Sequence, residues 1–149
     1  MRLLAVWLHV LGVVVWMGGL AYQAHALAPV ARRGGAAAFV AAAARGRPAA
    51  WTALSLTVLT GLYNVTALGP LERVMASGAA LALAGKFLLV LVIVALAGQR
   101  DFGLVPRLRR ALDGGDDPAS ALRAIGWLDR ATLLLALVVV YLGVLVSRS

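Results

Sequence analysis

Ala80-Leu81-Ala82-Leu83-Ala84-Gly85-Lys86-Phe87-Leu88-Leu89-Val90-Leu91-Val92-Ile93-Val94-Ala95-Leu96-Ala97-Gly98 carries one charge in nineteen residues. At a rise of about 1.5 Å per residue such a run covers the roughly 30 Å of a bilayer's hydrocarbon layer. Its lysine is the only one in the chain, against thirteen arginines. Three further apolar runs match it in length. The expected spans are about 3–27, 48–68, 77–99 and 124–146. Pro29 with Arg32-Arg33 should stop the first, Pro48 starts the second, and Gly69-Pro70 ends it. The alanine-rich piece from Gly35 to Ala44 is too short to span and should extend the second helix or lie at the interface.

Composition supports the same reading. Of 149 residues, 62% are hydrophobic and 13% charged, with a mean hydropathy of +0.92. Soluble domains are nearer half apolar and a quarter charged, so the bilayer is the natural solvent. With no cysteine there is no disulfide, thiolate metal site or cysteine nucleophile. The net charge of +8 comes from arginines lying between apolar runs, which speaks for membrane topology rather than nucleic acid. Arg2, the following apolar run and Ala24-His25-Ala26 imitate a cleavable signal. The run to Leu20 is too long for that, and a retained helix is expected.

Arginine placement sets orientation. Arg32, Arg33, Arg45 and Arg47 fall in the first loop. Arg100, Arg107, Arg109, Arg110 and Arg123 fall in the third, beside the turn-forming Asp113–Pro118 stretch. Only Arg2, Arg73 and Arg148 lie opposite. The expected fold is all-α: an up-down four-helix bundle, a multi-pass protein of the inner (plasma) membrane with both termini on the exterior, periplasmic side. Ala76/Ala80/Ala84 and Gly78/Ala82 would let the third helix pack closely, and a homodimer is the expected assembly. No internal repeat is evident.

Polar groups in hydrocarbon are costly and therefore candidates for function. Counted from the outer end, His9 and Lys86 lie at matching depth, about 9–14 Å below one surface. Thr60 and Asn64, one turn apart on the second helix, would support them. Tyr63 and Tyr141 suit an interfacial belt. At the inner end His25 suits a solvated position, and Asp129 with Arg130 an interfacial pair. No nucleophile with its base and no phosphate loop is present. A neutral imidazole and a deprotonated lysine are both metal ligands, so His9 and Lys86 would grip the two faces of a haem b. Arg2 and Arg73 would then meet the propionates, with Tyr141 at the rim. A copper ion is the alternative, with Met17, Met75 and His25 as weaker donors.

Leu8-His9-Val10-Leu11-Gly12, Trp16-Met17-Gly18-Gly19-Leu20, Thr60-Gly61-Leu62-Tyr63-Asn64 and Gly85-Lys86-Phe87-Leu88 resemble segments of the copper resistance protein D family. That resemblance implies copper import or resistance, beside a copper carrier on the outer side. The first-helix pattern also resembles the bacterial membrane protoporphyrinogen oxidase family. It implies haem ligation by a first-helix histidine and a later lysine, here His9 and Lys86. The expected function is a haem-b protein in electron transfer or oxidation near the outer face, with an electron-transfer partner there. Copper handling is the alternative, and a structural subunit without cofactor is the second.

Overall fold

The computed structural model describes residues 1–66 and 79–148, and every regular element among them is helical. Helix α1 (Arg2–Tyr22) passes through a π-helical turn, Gln23–Leu27, into the short α2 (Ala28–Val30) and a second π turn, Ala31–Gly35. There the chain reverses. Arg33 leaves helical geometry (φ −95°, ψ 18°) and Gly34 adopts φ 108°, ψ −7°, a left-handed conformation that a side chain disfavours. Helix α3 (Ala36–Thr66) returns along α1. The second half repeats the plan: α4 (Ala79–Gly98), a π turn at Gln99–Leu104, α5 (Val105–Gly114), a tight loop, and α6 (Ala119–Arg148). In that loop Gly115 (φ 75°) closes α5, and the Asp116 N–H donates to the Ala111 carbonyl at 2.9 Å. The Asp117 carboxylate then accepts from the Ala119 N–H at 2.9 Å, opening α6.

Several expected boundaries move. Pro29 does not end the first helix; the helix widens into a π turn just before it. A proline ring clashes with the carbonyl four residues back and supplies no N–H, and one extra residue in the turn relieves both problems. The same device precedes Pro106. Pro48 lies inside α3 rather than at its start, so the Gly35–Ala44 piece does extend the second helix. Arg100 and Asp101, expected in a loop, lie in a buried helical turn. Gly69-Pro70, Arg73, Met75, Ala76 and Gly78 lie outside the described residues.

Among the described residues, three continuous helical stretches are long and apolar enough to cross a membrane: Arg2–Thr66, Leu83–Gly114 and Ala119–Leu145. The first has 65 residues, roughly 98 Å if straight. It is instead folded at Gly34 into an antiparallel pair. The pair is close-packed: a Cβ at Gly12 would lie 2.9 Å from the Ala53 carbonyl oxygen and 2.5 Å from Thr57 Oγ1. At the reversal end, Ala28, Ala31, Ala36, Phe39, Ala43, Val105, Leu108, Ala121, Leu122 and Ile125 form one apolar core. Elsewhere the exterior is itself apolar, with Leu3, Leu81, Leu88, Trp127 and Leu134 exposed, as suits a surface facing lipid rather than water.

The fold also reveals a repeat. Leu27-Ala28-Pro29-Val30-Ala31-Arg32-Arg33 and Leu104-Val105-Pro106-Arg107-Leu108-Arg109-Arg110 share the pattern Leu-x-Pro-x-x-Arg-Arg, 77 positions apart. Each follows a π turn. Ala28 and Val105 are both buried, as are Ala31 and Leu108. The same offset matches Gln23 to Arg100 and His9 to Lys86. The two hairpins, α1/α3 and α4/α6, are thus variants of one unit running in the same sense.

Candidate functional site

Polar side chains inside the helical array gather in two layers. Gln23 follows His9 by fourteen residues, Arg100 follows Lys86 by fourteen, and Gly143 follows Asp129 by fourteen. Fourteen residues are nearly four whole turns, so the layers lie on the same helix faces, about 21 Å apart.

The layer nearer the N-terminus holds His9 and Lys86. His9 Nδ1 lies 2.9 Å from the Thr57 carbonyl oxygen and 3.2 Å from Thr60 Oγ1. A carbonyl only accepts, so Nδ1 carries the proton and Nε2 keeps its lone pair. The Thr60 hydroxyl donates to the Leu56 carbonyl at 2.5 Å, leaving its oxygen to face His9. Thr60 thus lies within hydrogen-bond distance of His9. Asn64 lies one turn on, half-buried. Lys86 is half-buried and within electrostatic reach of His9. Each of the two lies over a glycine of its hairpin partner. A Cβ at Gly61 would be 3.1 Å from His9 Cε1, and one at Gly143 would be 3.3 Å from Lys86 Nζ. The repeat thus places an imidazole and an amine in equivalent seats.

Other candidates fall elsewhere. His25 is exposed and donates to the Ala21 carbonyl of its own helix at 3.0 Å. It lies sixteen residues from His9, about 24 Å along the helix, so the structure does not bring them together. Met17 is half-buried two turns beyond His9. Tyr141 is 66% exposed on the outside of α6 and Tyr63 is also exposed, consistent with a belt rather than a rim. Arg2 is exposed at the first turn of α1. Among the described residues no three or more His, Cys, Asp or Glu side chains group as a metal cluster. Two voids stand out, and neither touches His9 or Lys86.

The second layer was not anticipated. Arg100 Nε donates to Asp129 Oδ1 at 2.6 Å, Nη1 to Asp101 Oδ1 at 2.5 Å, and Nη2 to the Gln23 side-chain carbonyl. The Trp51 indole N–H donates to Asp101 Oδ2 at 2.9 Å. Arg100 and Asp101 are 6% exposed and Asp129 0%. Phe102 stacks between Trp51, at 5.6 Å, and the Arg47 guanidinium, at 5.4 Å. The expected Asp129–Arg130 pair is not formed; the Arg130 Nε–H donates to the Gly126 carbonyl at 2.9 Å. Neighbouring residues on a helix point about 100° apart and do not face each other. Two carboxylates thus grip one guanidinium. A cavity of about 30 Å³, lined by Trp16, Leu20, Gln23, Arg100, Asp101 and Thr132 among others, adjoins the layer.

Against known proteins, the family model for copper resistance protein D matches residues 40–146. The chain belongs to that family. No curated protein and no solved structure matches it. This copper resistance protein D family member is a membrane protein, and the matched range contains Thr60, Lys86, Arg100, Asp101 and Asp129, while His9 and Gln23 precede it. The signal for the second layer was present in its sequence: Gln23, Arg100 and Asp129 are polar residues at one level of three apolar helices.

Proposed function

We propose that this copper resistance protein D family member handles copper in the inner membrane. In this reading the two hairpins make four passes, an up-down bundle with both termini on the exterior side. His9 and Lys86 take the metal ion as cargo near that face. The observation that carries the reading is the His9 tautomer: Nδ1–H is committed to Thr57 and Thr60, so Nε2 is left as the ligand nitrogen, at the level of Lys86. Imidazole and amine nitrogen suit copper. Lysine must shed its proton to join, so binding would release a proton. A homodimer and a copper carrier on the outer side remain the proposed associations.

Copper titration of the purified protein tests this. Stoichiometric binding lost in both His9→Ala and Lys86→Met supports it; a wild type that binds no copper overturns it.

A haem b between the same two nitrogens, in electron transfer or oxidation, is the second reading, favoured by the same fixed tautomer. The absorption spectrum after expression with ample haem decides it. A Soret band that shifts in both variants supports haem, and a colourless protein removes it.

A further inference from the structure

The Arg100 layer contains two carboxylates and one guanidinium, all withdrawn from solvent. With every group ionised, it carries one uncompensated negative charge inside an apolar array. Burying an unneutralised charge is costly, and a proton is the smallest group that removes it. The hydrogen bonds show which carboxylate has room. Asp101 is engaged at both oxygens, Oδ1 by Arg100 and Oδ2 by the Trp51 indole. Asp129 is engaged only at Oδ1. Its Oδ2 is fully buried and has no hydrogen-bond partner among the described residues. Buried carboxylate oxygens are seldom left so.

We infer that this layer is a proton-binding site and that Asp129 Oδ2 is the atom that takes the proton. The step is a simple addition: a proton from water forms an O–H bond at Oδ2, the carboxylate becomes a neutral carboxylic acid, and nothing is oxidised or reduced. Arg100 and Asp101 are then left as a one-to-one ion pair, and Gln23 takes up the remaining guanidinium N–H. A metal cation is a poorer occupant, because the Arg100 guanidinium already holds one oxygen of each carboxylate. The cavity beside the layer has room for one or two waters, which would bring protons to the cluster. The other charges near Asp129 are cationic. Arg130 sits on its own helix, and Arg32 lies against Gly126, where an added Cβ would be 2.5 Å from its Nη2. From α3 the nearest groups to the layer are Trp51 and Arg47, the latter stacked on Phe102. The inference is independent of what His9 and Lys86 bind.

Infrared spectroscopy of the full chain in lipid nanodiscs, with isotope-labelled aspartate, tests it. Of the five aspartates, Asp113, Asp116 and Asp117 are exposed to solvent. The expected result at neutral pH is a label-sensitive carboxylic-acid C=O band, lost in Asp129→Asn and kept in Asp101→Asn. Absence of the band in the wild type overturns the inference, as does a band that survives Asp129→Asn. The wild-type measurement decides even where a variant fails to fold. Thermal unfolding gives a second reading: if Asp129 is already neutral, Asp129→Asn unfolds close to wild type while Asp101→Asn unfolds well below it. The reverse order overturns it.

Discussion

The two polar layers lie on the same helix faces, yet they are built on opposite plans. Around Arg100 nearly every polar atom is matched to another side chain: two carboxylates and an amide converge on one guanidinium, and the Trp51 indole donates to one of those carboxylates. Around His9 the partners are a backbone carbonyl and a threonine hydroxyl, a glycine stands where a side chain would fill space, and among the described residues no carboxylate hydrogen-bonds to it. The first arrangement fixes helices to one another. The second fixes the His9 ring through Nδ1 and places the Lys86 amine at the same level. Polar residues in lipid therefore divide by what surrounds them, and depth alone does not tell a structural layer from a binding layer.

Substitutions can break that contrast. The largest effect is expected for Arg100→Met, which leaves the buried Asp101 carboxylate without its cation and Asp129 without its donor and should cost about 3–5 kcal/mol in reversible unfolding. Lys86→Met, at the equivalent depth in the other layer, should cost less than about 1 kcal/mol; equal losses would erase the distinction. Next comes Gly12→Val. Its side chain must enter a space already closed by the Ala53 carbonyl oxygen at 2.9 Å, for about 1–3 kcal/mol of overpacking. Because the strain falls on backbone, weakened α1/α3 packing should also lower copper binding in a titration. Trp51→Phe removes one donor to Asp101 and keeps the ring beside Phe102, so a loss of about 1.5–3 kcal/mol is expected from thermal unfolding. Smallest in stability is Thr60→Val, at under about 1 kcal/mol, since His9 keeps the Thr57 carbonyl. Its effect should appear in metal affinity instead, weakened on the order of 10–100-fold. A variant that loses stability and keeps affinity would assign Thr60 to the other plan.

Much of this was legible from residue order. Apolar run length and arginine placement announce a helical membrane protein, and one lysine among thirteen arginines marks Lys86. Counting from the outer helix ends put His9 and Lys86 at one depth, and the one-turn spacing of Thr60 and Asn64 put those two on one face. The Arg100 layer stayed hidden because Arg100 and Asp101 follow an apolar run, where charges usually mean a loop. Prolines at 29 and 48 read as helix boundaries, although a π turn or the lipid setting accommodates each. The repeat was masked by its own divergence. Histidine faces lysine and glutamine faces arginine across the 77-residue offset, so only Leu-x-Pro-x-x-Arg-Arg survives as a visible trace. Pairing Asp129 with Arg130 followed adjacency in sequence, whereas the helix turns consecutive side chains apart.

The π turn at Gln23–Leu27 has a consequence for the length of the chain. It holds one residue more than a regular turn, so α1 and the helix beyond Pro29 are out of phase by about 100°. Deleting Ala26 would restore a plain helix and turn everything above it by that angle. His9 would then swing away from Thr57 and Thr60, although no contact residue had been touched. A single-codon deletion there should accordingly be tolerated far less well than the loss of a residue from the Gly115–Pro118 loop, and this segment sets the phase on which both polar layers depend.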